Sequence, residues 1–142
     1  MLPLYIIPAK NICKLFGWRN IKIVIFFVLE VLSVTYKKIS PKELHERILG
    51  EEKAVLLDVR AEEKYKDFHI ESSQVVSFNI PKTEIFNLEE GGVFSQLPKE
   101  RPVVVTCTTG NSAAKCAKIL DELGFKVEVL EGGLTAWKEY RK

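Results

Sequence analysis

The sequence predicts an α/β domain with a mostly parallel sheet flanked by helices, and three observations favour this fold class. Short apolar runs alternate with segments of helical periodicity from residue 36 onward. The run 103–106 is apolar along its length, as expected of a central parallel strand with both faces buried. The chain has 142 residues, of which 46% are hydrophobic, so it can bury the core of one such domain.

The first elements of this domain are predicted by capping and periodicity. Residues 36–39 are expected to form a short edge strand. Ser40 then caps a helix, Pro41 takes its first position, and Glu43 completes a capping box. Gly50 ends this helix, because glycine is the usual residue where a helix stops.

The remaining elements continue the alternation of strand and helix. Strands are predicted at 55–59, 75–80, 103–106 and 127–130. Helices are predicted at 62–66, at 111–123 and after the turn at Gly132 and Gly133. Residues 82–98 carry mixed signals, with Gly91 and Gly92 marking a turn. Ligands of such sheets bind at the carboxyl ends of the strands.

The charge of the chain is small overall but unevenly distributed. The net charge is +2, yet residues 1–40 hold six basic side chains and one acidic one. Residues 41–142 hold the other 15 basic and 18 acidic side chains, a net charge of −3. This larger part has no basic face interleaved with aromatic residues, so we expect no nucleic-acid partner.

The N-terminal segment 1–35 stands apart as a hydrophobic extension, predicted to be helical. Its apolar run 21–34 is interrupted by Lys22 and Glu30, and it approaches the length of a membrane span only when 18–36 is counted. Two interpretations remain open. The segment is either a membrane anchor or a non-spanning extension of a cytoplasmic domain at 36–142, one that is poorly ordered or absent from the mature protein.

The three cysteines do not form a metal or disulfide pattern. Cys13, Cys107 and Cys116 are odd in number, and none belongs to a C-x-x-C pair or a Cys/His cluster. A zinc site or a disulfide scaffold is therefore not expected. We expect neither a metal nor a cofactor.

Cys107 is the strongest candidate for chemistry in the chain. It follows the strand 103–106 and precedes a loop and a helix. A thiol in that position faces the positive end of the helix dipole and a cup of backbone N–H groups, which favours an anionic sulfur. The residues of this loop are Thr108, Thr109, Gly110, Asn111 and Ser112.

Asp58 and Arg60 end a neighbouring strand and are therefore expected close to Cys107 at the same edge of the sheet. They could contact a substrate. A structural ion pair, or a hydrogen bond that braces the loop, is the role that we favour for them.

The motifs of residues 37–142, taken in chain order, resemble those of a rhodanese domain. No single motif is specific, but their order and spacing together are. They are Leu57-Asp58-Val59-Arg60, Tyr65, His69-Ile70, Asn79-Ile80-Pro81, Cys107-x-x-Gly110, Gly124-Phe125 and Leu130-Glu131-Gly132-Gly133-Leu134-x-Ala136-Trp137.

The resemblance implies a rhodanese-like fold and a sulfurtransferase. In such a domain the cysteine, here Cys107, takes sulfane sulfur from a small donor such as thiosulfate or a persulfide. It holds the sulfur as a persulfide and passes it to cyanide, a thiol or a protein acceptor. The backbone of residues 108–112 would stabilise the persulfide anion.

The loop departs from the family pattern in its charge. Active members often carry Arg directly after the cysteine and again five residues on, where this chain has Thr108 and Ser112. A thiosulfate dianion would lose two charge-assisted partners, each contributing about 1.5–3 kcal/mol. Lys115, one helical turn further, would compensate only in part. These changes bear on thiosulfate as the donor and not on Cys107 as the carrier.

Other notable residues are assigned structural roles. We expect His69 to be a structural histidine bonded to Glu63, and Trp137 and Phe125 to lie in the core. Cys116 is expected to face the core, with a resolving thiol that attacks the Cys107 persulfide as the alternative. Two function classes remain: a sulfurtransferase or sulfur carrier, and a regulatory rhodanese module that binds a partner protein.

Overall fold

The architecture was obtained from a computed structural model, which describes residues 36–87 and 94–142. The hydrophobic segment 1–35 and the predicted turn at Gly91 and Gly92 lie outside the described residues. No helix within the described ranges is long and apolar enough to cross a membrane.

Strands and helices alternate along the described chain, as the sequence predicts. The strands are β1 (Lys37–Ile39), β2 (Ala54–Asp58), β3 (Val75–Asn79), β4 (Val103–Thr106) and β5 (Val127–Leu130). The helices are α1 (Pro41–Leu49), α2 (Glu62–Asp67), α3 (Lys82–Phe86), α4 (Asn111–Glu122) and α5 (Gly133–Tyr140).

The described strands form one parallel sheet in the order β1-β5-β4-β2-β3. The predicted α/β fold with a parallel sheet flanked by helices is therefore confirmed. The strand β4 lies at the centre, and all four of its residues are buried. A parallel strand covered by helices on both faces needs apolar side chains on both sides, which explains its unbroken apolar run.

Local capping fixes where α1 begins. The Ser40 side chain accepts a hydrogen bond from the Glu43 backbone N–H at 3.1 Å, and the Glu43 carboxylate accepts one from the Ser40 N–H at 2.9 Å. The predicted capping box is thus present. It satisfies two of the N–H groups that a helix start leaves without partners.

Two apolar clusters cover the two faces of the sheet. The first contains the side chains of α3 and α4 together with Cys107 and Phe125. The second is formed by the side chains of α1 and α5, including Trp137. Phe125 and Trp137 are 5% and 7% exposed, so the prediction that both lie in the core is confirmed.

The sequence did not predict the helix α3, because residues 82–98 carry mixed signals. It spans only five residues, and Ile85 is its one buried side chain. A single buried position gives no periodicity to recognise. This helix matters for function because it begins at the same edge of the sheet as the Cys107 loop.

Candidate functional site

Cys107 lies at the carboxyl end of the central strand β4 and is only 5% exposed. Its Sγ accepts hydrogen bonds from the backbone N–H groups of Gly110 at 3.0 Å and Ala113 at 3.4 Å. Gly110 directly precedes α4, and Ala113 lies in its first turn. Oriented N–H groups at a helix start stabilise negative charge on the atom that they face, here the sulfur.

The loop reaches this geometry through Gly110. Its φ of 99° lies in the left-handed region, where a side chain is strained, and its carbonyl accepts the N–H of Ala114 at 3.0 Å. Gly110 thereby starts α4 and directs its own N–H at the sulfur. The sequence signal for this was the Cys107-x-x-Gly110 spacing.

The five predicted loop residues contribute unequally. Thr108, Thr109 and Asn111 are exposed, and Gly110 and Ser112 are half-buried. The second N–H donor to the sulfur is Ala113, one residue beyond the predicted range. Ala113 is fully buried, so its position is fixed by packing in the core of the domain.

The first turn of α5 supports the loop through hydrogen bonds. The N–H of Leu134 donates to the Cys107 carbonyl at 2.9 Å. Thr135 donates to the Thr108 carbonyl through its N–H at 3.0 Å and its hydroxyl at 2.9 Å. Sequence reasoning identified this turn as a motif but did not connect it with the loop, since the residues are 27 positions apart.

Gly133 allows this close approach. Its φ is 61°, and a Cβ at this position would lie 2.5 Å from the Cys107 carbonyl oxygen and 2.7 Å from the Thr108 carbonyl. No side chain fits between the two backbones. Glycine at position 133 therefore permits the close contact between α5 and the loop.

Asp58 and Arg60 brace the neighbouring strand end. The Arg60 Nη2 donates to Asp58 Oδ2 at 2.6 Å and to the Phe68 carbonyl at 2.5 Å. Asp58 is 2% exposed and the Arg60 side chain 10%. The Asn79 amide donates to the carbonyls of Asp58 and Arg60 at 3.0 and 2.9 Å. These bonds favour the bracing role over substrate contact.

This brace lies next to the Cys107 strand. The N–H of Val59 donates to the Thr106 carbonyl at 3.0 Å, directly before Cys107. The carboxyl ends of β2, β3 and β4 are therefore tied together around the candidate site, as expected for a parallel sheet.

Cys116 faces the core, as predicted from its position in the helix. It is fully buried, and burial raises the pKa of its thiol to about 11, with a further contribution from the negative charge of Cys107. The thiol therefore stays protonated at neutral pH. Since the thiolate is the attacking form, this state opposes the resolving-thiol alternative.

His69 has a structural environment, but the expected partner was wrong. Its Nδ1 bonds with the Tyr65 carbonyl at 2.8 Å, and its Nε2 lies 2.9 Å from the Glu71 carboxylate rather than Glu63. The imidazole also stacks on the Tyr65 ring at 3.9 Å. The chain turns after α2 and places Glu71 beside the ring, a geometry that spacing alone does not indicate.

A groove of about 400 Å³ lies on another part of the surface. It is lined by residues 66–71 with Trp137 and Arg141, and its lining includes neither Cys107 nor the loop. The candidate site is thus the cup of N–H groups at Cys107 rather than this groove. Among the residues that the structure describes, no cluster of His, Cys, Asp or Glu could hold a metal.

The fold agrees with comparison to known proteins. The model of the Rhodanese-like domain matches residues 40–140. The chain belongs to the rhodanese-like domain family. The resemblance seen in the motifs is therefore confirmed.

Two relatives of this chain are named as sulfurtransferases. The chain is 34% identical over 100 residues to "Probable adenylyltransferase/sulfurtransferase MoeZ" of Mycobacterium tuberculosis, covering 70% of this chain but only 24% of MoeZ. It is 31% identical over 104 residues to Thiosulfate sulfurtransferase GlpE of Pseudomonas fluorescens, covering 72% of this chain and 85% of GlpE.

The crystal structure of a rhodanese-related protein from Thermoplasma volcanium superposes with a TM-score of 0.60 at 28% identity. The match covers 74% of this chain and 93% of that one. The arrangement of the sheet and the helices is thus shared with this rhodanese-related protein.

Proposed function

We propose that this protein is a sulfurtransferase or sulfur carrier that holds sulfane sulfur as a persulfide on Cys107. The observation that carries the proposal is the pair of hydrogen bonds from Gly110 and Ala113 to the Cys107 Sγ. Donors aimed at the sulfur in the resting protein need no reorganisation when negative charge accumulates there. The sulfurtransferase names of its relatives support the same class.

The transfer takes two displacement steps. The Cys107 thiolate, its proton released to solvent, attacks the outer sulfur of thiosulfate and forms a new S–S bond. The S–S bond of the donor breaks, and its electron pair leaves with sulfite. A thiol or cyanide then attacks the terminal sulfur of the persulfide, and the Cys107 thiolate is regenerated.

The chain itself contributes orientation and charge stabilisation. The persulfide anion lies beside the N–H groups at the start of α4, whose dipole favours it. Leu134 and Thr135 bind the carbonyls of the loop and keep those oxygens turned away from the sulfur.

Mass spectrometry after incubation with a sulfur donor tests the proposal. We expect the intact protein to gain the mass of one sulfur atom, located on Cys107 after proteolysis. The Cys116→Ala variant is the matched control and should gain the same mass, because Cys116 is fully buried. A protein that takes no sulfur from thiosulfate or from a small persulfide would contradict the proposal and favour a regulatory module that binds a partner protein.

Thiosulfate is expected to be a slow donor, and adding charge to the loop should accelerate it. Ser112 is half-buried in the first turn of α4, where family members often carry Arg. We predict that Ser112→Arg raises kcat/KM for thiosulfate about tenfold, the effect of one charge-assisted contact with a dianion. Steady-state thiocyanate formation measures it.

The control for this prediction is Gln74→Arg. Gln74 lies directly before β3, at the opposite edge of the sheet from Cys107. The Gln74→Arg substitution adds the same charge away from the loop and should leave kcat/KM for thiosulfate unchanged. Equal rates for Ser112→Arg and wild type would show that charge in the loop does not limit the reaction.

A further inference from the structure

Lys82 occupies a position that the family motifs leave unassigned. It is the first residue of α3, directly after the Asn79-Ile80-Pro81 motif at the carboxyl end of β3. Its backbone N–H donates to the Val59 carbonyl at 2.9 Å, and the Val59 N–H donates to the Thr106 carbonyl at 3.0 Å. Two hydrogen bonds therefore connect Lys82 with the residue before Cys107.

The helix α3, which carries Lys82, packs against α4, which carries the N–H group of Ala113 that donates to the Cys107 sulfur. Ile85, one turn after Lys82, is fully buried in the cluster that includes Cys107, Ala113 and Cys116. The Lys82 side chain is exposed at the start of α3 and forms no ion pair with any described residue. No described carboxylate therefore neutralises its ammonium.

The electrostatic influence of Lys82 reaches the interior beside the site. Its positive charge lowers the pKa of Cys116, in opposition to burial. Cys116 lies one turn after Ala113 on the buried face of α4, and Ala113 donates to the Cys107 Sγ. Lys82 therefore begins a helix whose buried side chain, Ile85, lies in the same apolar cluster as Ala113 and Cys107.

Other cations near the loop are less suited to this role. Arg60 is committed to Asp58 and the Phe68 carbonyl. Lys115 is exposed on α4, on a different face from the buried Cys116 that follows it. The loop 108–112 itself contains no basic residue.

We propose that Lys82 determines the selectivity of the site for anionic sulfur donors, supplying from α3 the positive charge that the loop lacks. The inference rests on the proposed function. When Cys107 attacks thiosulfate, one thiolate charge and two donor charges share the cup of N–H groups until sulfite leaves. A positive charge at this edge of the sheet reduces this repulsion for a dianion far more than for a neutral reagent.

Alkylation of Cys107 tests the effect of the Lys82 charge on this cysteine without requiring sulfur transfer. The probes are iodoacetate, an anion, and iodoacetamide, its neutral analogue, applied in a Cys13→Ser background with the site located by mass spectrometry. We expect Lys82→Met to lower the iodoacetate-to-iodoacetamide rate ratio about threefold at low salt, and less at high salt. Lys82→Arg should retain the wild-type ratio.

The matched control is Lys53→Met, which removes an exposed lysine directly before β2, at the opposite edge of the sheet. Its ratio should equal that of wild type. A Lys82→Met ratio equal to wild type, or an equal fall in Lys53→Met, would overturn the assignment of Lys82.

Sulfur loading provides the second arm of the test. We expect Lys82→Met to lower the rate of loading from thiosulfate about tenfold and to leave loading from 2-hydroxyethyl persulfide, which carries a single charge at most, within twofold of wild type. An equal fall with both donors would indicate a structural role and overturn the proposal. Absence of loading from both donors in wild type would instead contradict the proposed function, while the alkylation ratio would still decide the role of Lys82.

Discussion

Cys107→Ser is expected to abolish sulfur loading and transfer while the domain remains folded. A hydroxyl cannot carry sulfane sulfur, so the loss should be complete within detection. The serine Oγ can accept the same hydrogen bonds from Gly110 and Ala113 that the sulfur accepts. The free energy of unfolding should therefore change by only about 1 kcal/mol or less.

The control for this prediction is Cys116→Ala, which removes the other described cysteine and should preserve loading. Donor-dependent mass gain and thermal unfolding of both variants provide the measurements. Sulfur transfer that persists in a protein lacking Cys107, Cys116 and Cys13 together would exclude a cysteine persulfide mechanism.

Gly133→Ala is expected to have the second largest effect, although Gly133 has no side chain to contribute. A Cβ there would lie 2.5 Å from the Cys107 carbonyl oxygen and 2.7 Å from the Thr108 carbonyl, so the loop backbone must shift. The positive φ of 61° adds strain. We predict a loss of about 2–3 kcal/mol in the free energy of unfolding and a loading rate lower by about tenfold or more.

Gly124→Ala separates the clash from the strain. Gly124 also has a positive φ, 90°, but a Cβ there would meet nothing within 4 Å. It should cost only about 1 kcal/mol, from backbone strain, and leave loading unchanged. Denaturant unfolding and single-turnover loading measure both variants. Equal effects of the two substitutions would show that contact between Gly133 and the loop is not important.

Much of the fold could be predicted because its signals are local. The capping box of Ser40 and Glu43, the apolar run of β4 and the Cys107-x-x-Gly110 spacing each lie within a few residues. The short helix α3 was missed because five residues with one buried side chain carry no periodic pattern.

The hydrogen bonds that support the Cys107 loop could not be predicted, because they join segments that are distant in the sequence. The bonds from Leu134 and Thr135 to the loop bring together residues 27 positions apart, and spacing does not encode such contacts. The partner of His69 depended on how the chain turns after α2. Ala113 became a donor because packing of α4 aims its N–H at the sulfur, which the sequence motif does not indicate.

Single-turnover transfer of isotopically labelled sulfur tests the central proposal most directly. The protein is loaded from thiosulfate or 2-hydroxyethyl persulfide whose outer sulfur is a heavy isotope, freed of donor and then mixed with cyanide. We predict labelled persulfide on Cys107, followed by labelled thiocyanate in an amount equal to the label lost from the protein. Thiocyanate without label, or label that stays on the protein or resides on another residue, would contradict Cys107 as the sulfur carrier.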